Sequence, residues 1–341
     1  MHDLTRPKID AELNEWIWRD VPEGELPTLF QVLDPENLPA MREAAKAVWL
    51  TDDELRLGGR VEFEEREIPG YEGGPDVQVL ILRPAGITGP LPALVATHCG
   101  GKVFSQVRNL RGIGFVEMVA DHGIVMVVVG MRTAPEDPHP AQVHDSYAAL
   151  SWTADNAGQL GIESSRIGVI GVSGGGGVAA ATALFARDHG GPPISHLLLL
   201  SPMLDDRDIT VSNWFDRVSH PHDSNAACWK AMLGDAKGGP TVDAYAAPSR
   251  AASFAGLPPV YIETGSADTF RDESLDLAAR AGQAGVPVEI HSWGGYLHSM
   301  ECYAPVPLSD AVRAARRSFL ERAFGGPGTG FVDNRPPAAD A

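Results

Sequence analysis

The sequence predicts an α/β protein with a mostly parallel central sheet flanked by helices. Two observations lead to this class. Continuous Val, Ile and Leu runs alternate with helical patterns through the second half of the chain, and such runs are typical of strands buried on both faces of a parallel sheet. Hydrophobic residues make up 44% of the 341 residues and charged residues 21%, so the chain can bury a large core.

The first elements are helical and the next are antiparallel strands. Residues 1–56 contain many helix formers without strand alternation, so they predict a small helical segment. From Arg60, RVEFEEREI and PDVQVLILRP alternate polar and apolar residues on either side of a Gly-rich turn, which predicts two antiparallel strands that lead into the sheet. LPALVATH continues the series as its third strand.

The remaining strands and helices alternate. Strands are predicted at GIVMVVVG, RIGVIGV, ISHLLLLSP, PPVYIETG and VPVEIHSW, and helices at AQVHDSYAALSWTADNAGQL, GVAAATALFARDH and DESLDLAARAGQAG. Residues 203–256 are too long for a simple connection, and we interpret them as an insertion over one edge of the sheet. An α/β domain is therefore predicted over residues 57–324, and the Gly/Pro-rich residues 325–341 predict a flexible tail.

The net charge and the cysteine content limit which partners and which cellular compartment are expected. The formal net charge of -18 disfavours nucleic acid and anionic membranes, because binding to phosphates requires Lys and Arg. Three cysteines are an odd and sparse set that argues against a disulfide framework. The sequence shows neither a basic and apolar leader nor an apolar run of about 18 residues. We therefore expect a cytoplasmic protein, with release without a recognisable signal as the open alternative.

A candidate nucleophile lies between a predicted strand and a predicted helix. Gly171-Val172-Ser173-Gly174-Gly175 fits the pattern G-x-S-x-G, in which a sharp strand-to-helix turn exposes a serine hydroxyl. Small neighbours allow the backbone to turn so tightly. A dinucleotide-binding loop is disfavoured, because the motif follows the fifth strand rather than the first, and a phosphate-binding loop is disfavoured because no Walker-type lysine follows.

A serine hydroxyl requires a base, and the base requires a third group that holds its tautomer. In folds with this type of turn the chain order is serine, acid, histidine. His298 falls in a loop after the last predicted strand, and Asp268 follows the preceding one. Asp272 lies close to Asp268, but we interpret it as a helix N-cap or as a charge that complements the helix dipole.

The loop after the third strand is the candidate oxyanion hole. LPALVAT runs into His98-Cys99-Gly100-Gly101, and glycines allow the backbone to approach a substrate oxygen closely. Gly100, Gly101 and Gly174, which follows the nucleophile, are the predicted backbone donors. His98 is predicted to brace the loop rather than to transfer protons.

These motifs together resemble the hormone-sensitive lipase group of α/β-hydrolases, in its bacterial acetyl-hydrolase and carboxylesterase branch. That group has an HGGG loop upstream of a GDSAGG-type nucleophile turn. The similarity extends from Arg60 to about Phe324, and its further matches are Arg132 to Glu136, Pro140-Ala141, Ser201-Pro202 and Asp268 to Glu273, the last of which resembles DPLRDE.

The resemblance implies an α/β-hydrolase fold without a cofactor, acting on short or medium acyl esters. It also implies a helical cap formed by the N-terminal helices and residues 203–256. The apolar cap residues that we expect to contact substrate are Trp16, Trp18, Phe30, Trp214 and Phe215. A homodimer is left open as the assembly.

This sequence departs from the family pattern in several places. Cys99 replaces the first glycine of HGGG, Lys102 stands where a bulky aromatic residue is common, Val172 occupies the Asp or Thr position of the turn, and Ser299-Met300 replaces Gly-Phe. We interpret Cys99 as a small packing residue. An exposed position is favoured for Lys102 over recognition of an anionic or carbonyl-bearing substrate.

The residues therefore predict a serine esterase or lactonase that acts on a small molecule. Acyl transfer or elimination on the same scaffold is the open alternative, because either could use the same base and oxyanion hole. A ligand-binding receptor is disfavoured, since all three catalytic positions are retained. Bound metal is also disfavoured: His220-Pro221-His222-Asp223 could supply ligands, but its proline and its place in the insertion favour a surface loop.

Overall fold

The computed structural model describes residues 6–22, 25–27, 32–104 and 106–325. In these residues, eight strands form one sheet in the order β1-β2-β4-β3-β5-β6-β7-β8. β1 and β2 pair antiparallel, β2 and β4 pair antiparallel, and all pairs from β4 to β8 are parallel. The strands are β1 (Val61–Ile68), β2 (Val77–Pro84), β3 (Leu91–Thr97), β4 (Val125–Gly130), β5 (Ile162–Val172), β6 (Leu197–Leu200), β7 (Val260–Gly265) and β8 (Val288–Trp293). The predicted fold class is confirmed.

Helices cover both faces of the sheet, as the continuous apolar runs predict. Val125, Val127 and Val129 of β4 pack with one group of helices, whereas the intervening Met126 and Val128 pack with the other. The first group is α5 (Ala141–Asp155), α6 (Gly174–Asp188) and α8 (Arg271–Gln283), and the second is α3 (Asp52–Arg56), α4 (Phe115–His122) and α9 (Pro307–Phe324). Successive side chains of a strand point to opposite faces, so β4 must be apolar throughout.

Two of these helices, α4 and α9, were not predicted. α4 is short and ends where Gly123 adopts a left-handed conformation. α9 begins with Pro307 but places Arg316 on its buried face, which interrupts the apolar pattern that marks an amphipathic helix. The burial of Arg316 is compensated by ion pairs with Glu263 and Glu301, which lie far from it in sequence.

The remaining helices lie near the carboxyl ends of the strands. α1 (Ala11–Trp18) buries Leu13 and Ile17 against Leu297, beside the loop that follows β8. α2 (Leu38–Ala45) buries Leu38 in the cluster that also contains Trp229 of α7 (His222–Leu233). The first two helices, α1 and α2, and the segment between β6 and β7 therefore contact loops that follow strands, whereas the third N-terminal helix, α3, packs on the sheet. The predicted domain boundaries remain predictions, and residues 326–341 of the predicted tail lie outside the described residues.

Within the described ranges, none of the helices combines the length and the apolarity that crossing a bilayer requires.

Candidate active site

The backbone at Ser173 turns sharply between β5 and α6. Ser173 has φ 58° and ψ -123°, a conformation that L-residues rarely adopt and that the surrounding structure must impose. The local sequence permits it, because a Cβ added at Gly171 would overlap the carbonyl oxygen of Gly175, and one added at Gly175 would overlap the carbonyl oxygens of Thr97 and His98. The G-x-S-x-G pattern thus packs the start of α6 directly against the end of β3.

His298 lies within hydrogen-bond distance of both other predicted catalytic residues. Its Nε2 is 2.9 Å from Ser173 Oγ, and its Nδ1 is 3.2 Å from each carboxylate oxygen of Asp268. The hydroxyl of Ser219 donates a 3.1 Å hydrogen bond to the His298 carbonyl oxygen. The three predicted residues come together from loops after three different strands, with the histidine in the middle.

Asp268 is fully buried, and its environment favours the carboxylate form. It accepts hydrogen bonds from Phe270 N–H at 2.9 Å and from the Thr264 hydroxyl at 3.4 Å, besides its contacts with His298. Burial raises the pKa of Asp268, but the positive charge of His298 and the hydrogen bonds from His298, Phe270 N–H and Ser201 outweigh it, so the pKa lies below its ordinary value. A charged acid beside Nδ1 keeps the proton on that nitrogen and leaves Nε2 free to accept one.

The candidate oxyanion loop lies against the nucleophile turn. Gly100 has φ 124° and Gly101 has φ 59°, backbone conformations that favour glycine. A Cβ added at Gly174 would lie only 2.8 Å from Gly101 Cα and from Lys102 N, so the two predicted donor segments are in direct contact. The structure therefore brings together all three predicted donor residues.

His98 links the two ends of this loop. Its Nδ1 is 2.7 Å from the Cys99 carbonyl oxygen, and its Nε2 accepts a hydrogen bond from Gln106 N–H at 3.1 Å. Burial lowers the pKa of His98 to about 4, despite the opposing effect of the Cys99 carbonyl, so the ring is neutral and Nδ1 is the donor. This geometry agrees with the predicted bracing role.

Two departures from the family pattern have different outcomes. Cys99 packs beside the apolar cluster on one face of the sheet, and burial raises the pKa of its thiol to about 11, which agrees with a packing role. The expectation of an exposed Lys102 is wrong, since its side chain is only 4% exposed. The place of Lys102 at a position where an aromatic residue is common could have indicated burial.

The surface-loop interpretation of residues 220–223 is wrong for His220. Its ring centroid lies 5.8 Å from that of His298 and 5.4 Å from that of Phe270, and its Nε2 is buried without a hydrogen-bond partner. Burial lowers the pKa of His220 to about 3, with the charge of His298 acting in the same direction. His222 instead stacks on Trp214, 3.9 Å between ring centroids. Among the described residues, none of the His, Cys, Asp and Glu groups is arranged to hold a metal ion.

The expected substrate-contacting cap residues have different surroundings. Phe215 is buried and, with Trp16 at its border, belongs to the apolar cluster around α1 and the His298 loop. Trp18 and Trp214 are more exposed, at 37% and 51%. Phe30 lies outside the described residues. Of the four expected residues that the structure describes, Phe215 is the one that is buried.

Asp272 is not the N-cap of its helix. α8 begins at Arg271 with Phe270 in the cap position, so Asp272 lies in the first turn, where its charge complements the helix dipole. Its carboxylate accepts hydrogen bonds from Ser212 N–H at 2.9 Å and from Arg271 Nε at 2.7 Å. The N-cap prediction placed the helix start two residues too late, and Asp272 instead ties α8 to the segment between β6 and β7.

Sequence comparison identifies relatives along most of the chain. A family model described as the alpha/beta hydrolase fold matches residues 94–301. The carboxylesterase NlhH of Mycobacterium tuberculosis is 32% identical over 311 residues, which cover 87% of this chain and 96% of NlhH. Esterase LipI of the same species is 33% identical, and the match covers 75% of this chain and 84% of LipI.

Solved structures that resemble this chain are also esterases. A chain titled bacterial heroin esterase superposes with a TM-score of 0.83 at 35% identity, covering 93% of this chain and 98% of that one. A thermostable esterase from Pseudomonas putida superposes with a TM-score of 0.80 at 28% identity, with the same coverage of 93% and 98%.

Proposed function

Because the chain belongs to the α/β-hydrolase family, in its hormone-sensitive-lipase-like branch, and is a carboxylic ester hydrolase, we propose that it cleaves esters through an acyl-enzyme on Ser173. The observation that supports this most directly is the 2.9 Å contact between Ser173 Oγ and His298 Nε2. A serine hydroxyl hydrogen-bonded to a neutral imidazole can transfer its proton as it attacks a carbonyl carbon.

The first half of the reaction forms the acyl-enzyme. His298 Nε2 takes the proton from Ser173 Oγ while Oγ bonds to the acyl carbon, and the carbonyl oxygen becomes an oxyanion. Backbone N–H groups of Gly100, Gly101 and Gly174 donate to that oxyanion. The imidazolium then gives its proton to the alcohol oxygen as the ester bond breaks, and the alcohol leaves.

The second half releases the acid. A water molecule gives a proton to His298 Nε2 and attacks the acyl carbon, and the returning proton restores Ser173. Asp268 stays ionised throughout and stabilises the imidazolium that forms in each half. The same loops thus serve both steps, with His298 as base and then as acid.

We propose short- to medium-chain acyl esters or lactones of small molecules as the substrates. The relatives named carboxylesterase and esterase, which this chain matches over most of its length, support a small-molecule ester. Apolar residues of α1 and of the segment between β6 and β7 pack beside the His298 loop, and this supports a cap that limits acyl length.

The experiment that tests the proposal is active-site labelling followed by product analysis. A fluorophosphonate should modify Ser173 alone and abolish hydrolysis of a series of acetyl, butyryl and hexanoyl esters, each giving free acid and alcohol. Ser173→Ala should be neither labelled nor active. A label on Cys99, or turnover without any label, would contradict the acyl-enzyme assignment. Transfer of the acyl group to an added alcohol as the main product would favour the alternative of acyl transfer.

A further inference from the structure

The backbone of Lys102 is part of the candidate oxyanion loop. Lys102 follows Gly101 and has φ 67°, a left-handed conformation that is unfavourable for a residue with a long side chain. Its carbonyl oxygen accepts a hydrogen bond from Ala134 N–H at 3.1 Å. Its own nitrogen lies 2.8 Å from the position of a Cβ added at Gly174, the residue after the nucleophile. Any displacement of Lys102 would therefore move the loop relative to Ser173.

The side chain of Lys102 runs from this loop to the helix α7. Its Nζ lies 3.9 Å from the ring centroid of Trp229, which is fully buried in α7. Nζ also donates a long hydrogen bond of 3.5 Å to the Ala246 carbonyl oxygen. The ammonium also lies close to the first turn of α6: a Cβ added at Gly177 would be 3.3 Å from Nζ. Within the described part of the chain, no carboxylate lies at ion-pair distance from this Nζ, so the aromatic ring is its principal partner.

The residue before Trp229 contacts the same loop. A Cβ added at Gly101 would overlap Cys228 Sγ, so the thiol of α7 fills the space that a side chain at Gly101 would occupy. Two consecutive residues of α7, Cys228 and Trp229, thus contact two consecutive residues of the loop, Gly101 and Lys102. Such a paired contact fixes both the position and the orientation of the loop.

We propose that Lys102 is a positioning residue that fastens the oxyanion loop to α7 through the ring of Trp229. The attachment holds the N–H groups of Gly100 and Gly101 in the direction that the oxyanion of the intermediate requires. The inference rests on the proposed function, because the donor role of these glycines belongs to that proposal. It assigns to α7 a role in turnover in addition to covering the site.

The charge of Lys102 is expected to be present only over part of the pH range of activity. Burial lowers the pKa of Lys102 to about 7, against the smaller opposing effects of Glu273, Cys228 and Asp206. Burial raises the pKa of Glu273 well above its ordinary value and that of Cys228 to about 12, and Asp206 pairs with Arg250 at 2.6 Å. These acidic groups, from α8, α7 and the segment after β6, therefore do not hold the lysine charged at alkaline pH.

A cation–π contact requires the ammonium, so the attachment weakens as Lys102 loses its proton. Activity should therefore fall with rising pH as the ammonium of Lys102 becomes an amine. An alkaline limb near pH 7 in the pH profile of kcat is the expected consequence.

The test is the variant Lys102→Met, which keeps an unbranched apolar chain of similar length. We expect kcat to fall about tenfold with KM changed less than twofold, since the lost interaction acts on the transition state. The alkaline limb should disappear. A trifluoromethyl ketone that forms a tetrahedral adduct with the active serine should bind about tenfold more weakly. Lys230→Met, which removes an exposed lysine of the same helix, should change none of these quantities.

The variant Trp229→Phe distinguishes the effect of the Lys102–Trp229 cation–π contact on kcat from the effect of packing at residue 229. It keeps a buried aromatic side chain but weakens the quadrupole, so it should lower kcat severalfold in the wild-type background and not at all in Lys102→Met. Unchanged kcat and an unchanged alkaline limb in Lys102→Met, in a protein that melts at or above the wild-type temperature, would overturn the inference. So would a rise in KM alone, which would make Lys102 a substrate-binding residue. Retained activity in Ser173→Ala would instead contradict the proposed function.

Discussion

Two buried polar regions lie on either side of the nucleophile turn, and they are built differently. The polar side-chain groups of Ser173, His298 and Asp268 each have a partner at hydrogen-bond distance, whereas the neighbouring His220 Nε2 is buried without one. In the region between the oxyanion loop and α7, Lys102 has one distant acceptor and an aromatic ring, and Glu273 Oε2 is buried without a partner.

The pKa values follow this difference. Asp268 has a lowered pKa, because its partners outweigh the effect of burial, whereas Lys102 and Glu273 shift toward their neutral forms because burial outweighs theirs. A site that must stabilise charge during a reaction needs complete pairing of its fixed charges. A neighbouring region whose buried charges lack full pairing, such as that of Lys102, can still influence the reaction. It lowers the stability of the fold, and it acts only at pH values where the group is ionised.

The largest expected effect tests the fully paired region. Asp268→Asn keeps the shape of the acid and its hydrogen bond from Phe270, but it favours the wrong imidazole tautomer. In a serine protease that replacement lowers turnover about 10⁴-fold, and we expect a similar loss here with a native-like melting curve. Measurement of kcat and of thermal unfolding would check it. Turnover within tenfold of wild type would show that Asp268 is not the acid.

A smaller effect is expected on the pH dependence of stability. An unfolded lysine holds its proton up to about pH 10.4, whereas folded Lys102, with its pKa at about 7, has already lost it. Between these values the unfolded state binds more protons, so the free energy of unfolding rises with pH by up to about 1.4 kcal/mol per pH unit from this group. Denaturant unfolding of wild type and Lys102→Met at several pH values would measure it.

The stability of Lys102→Met relative to wild type should change with pH in one direction. The Met variant lacks the contribution, so its stability relative to wild type should be highest near pH 6 and should decline toward pH 9. Glu273 acts with the opposite sign, because a raised carboxyl pKa makes stability fall as pH rises, but it is present in both proteins. A stability difference that does not vary with pH would show that Lys102 is not the source of the effect.

The smallest expected effect concerns Asp272. Asp272→Asn should lose about 1 kcal/mol of stability, because the dipole interaction at the start of α8 and the charge-assisted bond to Ser212 N–H weaken. Turnover should remain within about twofold of wild type. Asp268→Asn is the matched comparison, since the two carboxylates lie four residues apart. The reverse pattern, with normal stability and lost turnover in Asp272→Asn, would make Asp272 the acid.

Most of the fold was predictable because its periodicities are local. The eight strands were each predicted near their observed positions, and the nucleophile turn was located from five residues between a strand and a helix. α9 was missed for a non-local reason. Arg316 is tolerated on its buried face only because Glu263 and Glu301 meet it there, and neither is near it in sequence.

By itself, the sequence determined the strand order along the chain and the polar residues at three strand ends. The carboxyl ends of parallel strands meet at one edge of a sheet, so Ser173, Asp268 and His298 could be expected to approach one another. Only the tertiary structure decided the environment of Lys102 and His220. Lys102 is buried against Trp229 of α7, and the His220 ring lies beside those of Phe270 and His298. No local pattern indicates which side chains the long segment between β6 and β7 will contact. Burial, rather than residue type, then determines whether each of these groups is charged.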